Sequence, residues 1–344
     1  MKASYKKYIL EFKQASGTSR GVLKTKETYF IILENEGKIG YGETGLFRGL
    51  SIDDRPDYES QLAWACENIH LGIEVLWSKM IEFPSIQFGL EQAFLSLKSA
   101  DGFNLFPSKF TKSEDEIPIN GLIWMGSETF MQEQIADKLK AGFSTIKMKI
   151  GAIDFDTEIK LLTAIRKKYS AKEITLRVDA NGAFTPENAL EKLERLASLD
   201  IHSIEQPIKQ GQLSEMKDLC LKTPVPIALD EELIGVFKYD DKVNLLNNIR
   251  PQYIILKPSL VGGIKGSNEW IEIANSLNIP YWITSALESN IGLNAISQYT
   301  YTLGVSLPQG LGTGSLFTNN MESPLEVING NIKYNNSKAW KVNL

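Results

Sequence analysis

Cysteine and histidine are scarce in this chain of 344 residues, with two of each. Cys66 and Cys220 lie far apart with no metal-ligand pattern around either, which excludes a disulfide framework and a thiolate zinc site. Both read as core thiols. His70 and His202 leave little room for histidine chemistry, and neither sits in a motif that would support a Ser-His-Asp triad. No apolar run is long enough to span a bilayer. The opening MKASYKKYILEFKQ has charge on both sides of a very short apolar stretch and no small-residue cleavage pattern, so a cytoplasmic protein is expected, without a membrane partner. Thirty-seven basic residues against 42 acidic ones give a net charge of −5. No dense basic run or basic-aromatic stripe occurs, which argues against nucleic acid as a partner.

What is present points to a large α/β protein. An apolar fraction of 43% supports a full core. From about residue 117, short β-rich segments alternate with longer amphipathic ones. The short segments are IPINGLIW, STIKMKI, ITLRVDA, HSIEQP, VPIALDE, QYIILKP, IPYWITS and, more weakly, PQGLGTG. Between them, residues 155–168 and 186–198 carry apolar side chains at helical spacing, the second opened by Pro186. Strands alternating with helices imply parallel pairing, and eight strands imply a closed (β/α)7β barrel of the TIM type over 116–318. The first 115 residues read as an α+β capping domain. A hairpin turns at Glu36-Gly37, helices are expected over 58–80 and 90–100, and the polar stretch 106–116 reads as a linker. The segment 319–344 contains the hairpin-like VINGNIKYN and is expected to rejoin the capping domain.

Within the barrel, polar residues stand near successive strand ends where a core would take apolar ones. They are Lys149, Asp179, Glu205, Asp230 and Lys257, separated by 30, 26, 25 and 27 residues, close to one β/α unit each. That spacing gathers them on one ring at the C-terminal mouth of the barrel, where such folds place their active sites. Three carboxylates from consecutive strands repel one another unless a cation holds them. With oxygen donors only, the set favours a hard divalent ion such as Mg²⁺. The simpler reading is a set of buried ion pairs with the barrel lysines and Arg177. The Asp230-Glu231-Glu232 run leaves the third ligand open.

In STIKMKIG, strand alternation sends Ile146, Met148 and Ile150 toward the outer helices and Lys147 and Lys149 into the barrel. Two ammonium groups so close are expected to disfavour each other's charge, leaving at least one with a lowered pKa. A lysine near neutrality can act as a general base. Lys149 lies nearer the catalytic end, and Lys147, one layer deeper, is the supporting charge. With Lys257 arriving from the opposite side, the parts suit removal of a proton next to a carboxylate. A metal and a lysine on the substrate acid are a worked pattern for the enolase superfamily.

In order and spacing, KMKIG, RVDANGAF, IEQP, ALDEEL, LKPSLVGG and SALESNIGL resemble the muconate-lactonizing-type branch of the enolase superfamily, nearest to its dehydrating synthases of menaquinone biosynthesis. GYGET in the first domain resembles that branch only in general layout. The resemblance implies metal ligation by Asp179, Glu205 and Asp230, with Mg²⁺ as cofactor. It implies Lys149 as the acid/base and Lys257 as the charge on the other face, acting by charge or cation–π contact. Asn181, Ser285 and Ser289 are the implied substrate contacts, the last two flanking the segment for a succinyl tail. Loops near Thr18 to Leu23 and Leu46 to Ile52 would cap the site. The implied reaction is syn dehydration of a small carboxylate substrate, 2-succinyl-6-hydroxy-2,4-cyclohexadiene-1-carboxylate.

The same two lysines can also serve a 1,1-proton transfer, as in N-acylamino-acid racemases and dipeptide epimerases. Dipeptide epimerases of this branch carry an Asp-x-Asp pair on the last strand, where this chain reads Gly312-Thr313-Gly314. A non-catalytic barrel would be expected to have lost part of the ring, and all five positions are filled.

Overall fold

The computed structural model describes residues 1–18 and 21–344. Strands β1 (Lys2–Thr18), β2 (Gly21–Asn35) and β3 (Lys38–Glu43) form an antiparallel sheet. The β2–β3 turn falls at Glu36-Gly37 as expected from sequence. Both residues have positive φ, 52° and 78°, the primed turn that matches strand twist. Strand β1 was not legible because it fully buries only Leu10 and Ser16, leaving almost no alternation to read. Of the expected capping loop at Thr18 to Leu23, Ser19 and Arg20 lie outside the described residues.

Three helices follow, α1 (Tyr58–Glu67), α2 (Ile73–Lys79) and α3 (Pro84–Lys98). The expected continuous helix over 58–80 is interrupted at Gly72, whose φ of 78° is left-handed. The expected helix at 90–100 starts earlier, with Pro84 in its first turn where a missing N–H costs nothing. Helix α3 lies directly on β3. A Cβ at Gly42 would stand 1.9 Å from the Gly89 carbonyl oxygen, and one at Gly40 2.5 Å from that of Ala93. The two glycines of GYGET therefore let sheet and helix backbones meet.

After the short strand β4 (Glu116–Pro118), seven parallel strands form one sheet in sequence order. They are β5 (Gly121–Ile123), β6 (Thr145–Lys149), β7 (Thr175–Asp179), β8 (Ile201–Glu205), β9 (Ile227–Leu229), β10 (Tyr253–Leu256) and β11 (Tyr281–Ile283). The helices between them are α4 (Glu128–Lys140), α5 (Phe155–Lys168), α6 (Pro186–Ala197), α7 (Leu213–Lys222), α8 (Tyr239–Ile249), α9 (Pro258–Val261) and α10 (Gly263–Ser276). Local signals set their starts. Ser127 and Asp154 accept the first free N–H groups of α4 and α5, and Asn188 accepts from the Thr185 N–H before α6. The PQGLGTG stretch closes the cylinder through single parallel bridges, Ile119 to Gln309 and Thr284 to Gly310, giving the expected (β/α)7β barrel. Helix α11 (Asn290–Thr302) precedes it.

Ile146, Met148, Leu176, Val178 and Ile204 point outward into one continuous apolar layer under the helices. The tail adds β12 (Leu325–Ile328) and β13 (Asn331–Tyr334), a hairpin that pairs with β4. Beyond it, Trp340 stacks on Phe103 at 4.5 Å, and Phe103 stacks on Tyr41 of β3 at 5.9 Å. The free edge of β1 is covered by the segment after the barrel, with Lys13 N–H donating to the Leu316 carbonyl and Thr318 N–H to that of Glu11. No helix among the described residues is long and apolar enough to cross a membrane.

Candidate active site

Register alone stacks the inward residues in layers. Lys147 pairs with Arg177 and Arg177 with Ser203; one layer up, Lys149 pairs with Asp179 and Asp179 with Glu205. The Lys147 ammonium donates to Asp179 Oδ2 at 2.9 Å and to Glu205 Oε2 at 2.6 Å. Lys149 donates to the same Asp179 oxygen at 2.9 Å and to Asn181 Oδ1 at 2.6 Å. From the far side, Lys257 donates to Asp230 Oδ2 and stands 3.6 Å from Glu205 Oε1. The structure thus brings together all five ring positions, with Lys147 beneath them. Asn181 joins the ring to its neighbour, donating through Nδ2 to Glu231 Oε1 at 3.0 Å.

The charges interlock, and the lowered pKa expected of at least one of the two lysines is not found at Lys147. Burial alone would pull the Lys147 ammonium down, but Asp179 and Glu205 outweigh it and hold its pKa above the ordinary lysine range. The two lysines do not depress Lys147 because each meets a carboxylate before it meets the other. Lys257 is raised in the same way against burial, by Asp230 and Glu205. Burial would push Asp179 up, yet Lys147 and Lys149 hold it far below the usual carboxylate range. Asp230 goes the other way. Burial drives it up, and Glu231 and Glu205 add to that against Lys257.

The two lysines of the ring line a cleft of about 940 Å³, part of it open to solvent, with the carboxylates behind them. Its polar floor holds Lys147, Lys149, Lys257 and Asn181, and its apolar walls include Phe47 and Leu50 from the expected capping loop, with Trp124, Leu287 and Leu316. Ser285 lines it too, its hydroxyl paired with that of Thr313 at 2.6 Å. Ser289 does not. It is fully buried, caps α11, and gives its hydroxyl to Glu43 at 2.6 Å. Sequence reasoning missed Thr313 and Asn120, a buried lining residue whose side-chain amide has no protein partner. Asn120 lies just before β5, outside any strand, so strand alternation gave no signal for it. Below the ring, Arg177 is buried with its guanidinium 4.1 Å over the Trp282 ring. Burial brings it down to about 10 even with Glu205 nearby.

As they stand, no three carboxylates among the described residues gather around one point, because lysine ammonium groups sit between them. The donor chemistry nevertheless fits a hard dication. Glu205 Oε1 is buried without a hydrogen-bond donor, a free oxygen of the kind such an ion takes.

A family model described as enolase C-terminal domain-like matches residues 131–337. A barrel with this ring and a capping sheet defines the enolase-superfamily class. The chain is 47% identical to an o-succinylbenzoate synthase of Desulfotalea psychrophila over 96% of its own length and 98% of that protein's. The crystal structure of MenC from the same organism superposes with a TM-score of 0.86 at 42% identity, covering 97% of this chain and 99% of that one. Within the superfamily, the chain belongs to the o-succinylbenzoate synthase family. A dipeptide epimerase of Enterococcus faecalis, solved with Mg and the dipeptide L-Leu-L-Tyr, shares the fold at a TM-score of 0.82 and 20% identity, covering 96% of each chain.

Proposed function

We propose that the chain catalyses the Mg²⁺-dependent syn dehydration of 2-succinyl-6-hydroxy-2,4-cyclohexadiene-1-carboxylate to o-succinylbenzoate, a cytoplasmic step of menaquinone biosynthesis. The observation that carries this reading is the pair of lysines, Lys149 and Lys257, entering one cleft from opposite walls with three carboxylates between them. The near-complete similarity to an o-succinylbenzoate synthase supports it.

Asp179, Glu205 and Asp230 would hold the ion. When bound, a dication supplies positive charge beside the substrate carboxylate as its α-carbon loses a proton. Lys149 takes that proton. The ring C–O bond then breaks, the hydroxyl leaves as water with the proton that Lys149 returns, and the ring becomes aromatic. Delivery and return on one face make the elimination syn. Lys257, kept protonated by Asp230 and Glu205, places a fixed cation over the opposite face of the developing enediolate. Lys147 holds Asp179 and Glu205 in place. Ser285 and Thr313 offer hydroxyls to the succinyl tail.

Purified protein with Mg²⁺ should convert the diene acid to o-succinylbenzoate, followed by ultraviolet absorbance, and EDTA should stop it. Lys149→Ala should lower kcat by about 10² or more, the usual size of a lost acid/base. No turnover by the wild-type protein in Mg²⁺ would sink the reading. Incubating N-acylamino acids and dipeptides in D₂O tests the racemase alternative. Exchange of their α-protons without diene dehydration would favour it, and Lys257→Ala should then abolish exchange on one face.

A further inference from the structure

One wall of the cleft is held in part by the capping sheet, outside the barrel that carries it. After β11 the chain runs through Ser285-Ala286-Leu287-Glu288-Ser289 into α11, and Ala286 and Leu287 line the cleft. Leu287 has φ of +64°, left-handed backbone that a leucine adopts only under restraint. The restraint comes from the capping sheet. Lys26 of β2 is buried, and its ammonium donates to the Ala286 carbonyl at 2.8 Å and to the Leu287 carbonyl at 2.9 Å. It also lies 5.8 Å from the ring of Phe47, on the facing wall. A lysine has three N–H donors and no acceptor, so one group can satisfy two carbonyls that the turn directs away from water.

The same segment is tied at two further points. Glu288 accepts from the Ala286 N–H at 2.7 Å and from the Ser259 hydroxyl at 2.6 Å, two residues past Lys257. Glu43 of β3 accepts from the N–H groups of Ser289 and Gly292, at 2.9 and 3.0 Å. Thr28 of β2 donates to Glu43 at 3.0 Å and so joins the two cap strands that carry these charges. Glu43 and Glu288 secure the ends of the turn, and Lys26 alone among them holds its strained centre.

We propose that Lys26 is a positioning residue for the dehydration, a capping-domain ammonium that shapes the Ala286–Leu287 wall against which the substrate's acyl tail lies. It touches neither the reacting carbon nor its proton. Its loss therefore weakens capture of the tail and leaves proton transfer intact. This rests on the proposed dehydration.

The test is Lys26→Met, which keeps the aliphatic stem and removes the ammonium. With the diene acid and Mg²⁺, KM should rise about tenfold or more while kcat stays within about threefold. The acid lacking the succinyl group, 6-hydroxy-2,4-cyclohexadiene-1-carboxylate, should give benzoate with the same kcat/KM in wild type and variant. An unchanged KM for the full substrate would overturn the proposal, and so would an equal loss on both substrates, which marks Lys26 as a mere strut. Should Lys26→Met fail to fold, Lys26→Gln keeps an uncharged NH2 donor on a shorter stem and carries the same expectation at about threefold in KM. Wild-type protein inactive on the diene acid removes the dehydration reading, and the proposal with it. Wild-type activity with an unmoved KM in the variant removes the proposal alone.

Discussion

Lys147→Met isolates the balance of charge inside the barrel. In the intact chain three lysines, Lys147, Lys149 and Lys257, face three carboxylates, Asp179, Glu205 and Asp230, and each carboxylate lies against at least one lysine. Methionine fills nearly the same space and removes the donor 2.9 Å from Asp179 and 2.6 Å from Glu205. Asp179 then keeps Lys149 as its one ion pair, and Glu205 keeps Lys257 at 3.6 Å. Breaking a buried pair by removing one partner costs about 3–5 kcal/mol, because the stranded charge stays dehydrated. For a chain of this size the unfolding entropy is about 0.7 kcal/mol/K, which converts that cost to a drop in Tm of about 4–7 °C. Calorimetry or circular dichroism at pH 7 in EDTA reads it. Added Mg²⁺ should recover part of the loss, since a dication among the same acids replaces the missing charge. A variant melting within about 1 °C of wild type in EDTA would refute the reasoning, since the carboxylates would then not depend on Lys147.

Gly42→Ala should cost about 1–3 kcal/mol, because its Cβ meets the Gly89 carbonyl at 1.9 Å and β3 must lift off α3; an unshifted urea midpoint would contradict that packing. His202 sits between Tyr253 and Trp282, and burial together with Arg177 lowers its pKa to about 4. A histidine depressed in the folded state contributes stability that is complete above its unfolded pKa of about 6.5 and is lost as pH falls toward 4. Stability of the wild-type protein should therefore decline over that interval more steeply than that of His202→Gln, and parallel urea midpoints at pH 7 and 4.5 would count against it. Lys257→Met should leave Asp230 and Glu205 short of positive charge and abolish dehydration while Mg²⁺ still raises Tm; a variant with full activity would remove Lys257 from the reaction.

Much of the barrel was legible because its signals are local. The 25- to 30-residue spacing of the ring needs only that one β/α unit repeat, and Pro186 announces a helix within a turn of its start. What failed depended on distant partners. Lys147 and Lys149 look mutually repulsive when read along β6, yet the groups that set the charge of Lys147 stand on β7 and β8. Ser289 reads as a loop hydroxyl until Glu43, 246 residues earlier, accepts its proton. Lys26 carries no signal in the sequence, and only the folded chain shows it reaching into the barrel's loop. Strand β1 escaped because a strand that buries so little has no apolar rhythm.

The covering of the β1 edge by residues 316–319 bears on how such a chain is made. The first strand leaves the ribosome early, yet the segment that shields its outer hydrogen-bonding groups is translated some three hundred residues later. Until then β1 exposes a row of unpaired amides able to recruit any extended segment nearby. The same delay applies to β4, whose partner β13 emerges only after the whole barrel. Nascent chains stalled inside the barrel should therefore be the aggregation-prone species, and a chaperone acting on this protein would have its largest effect during translation of the middle of the chain.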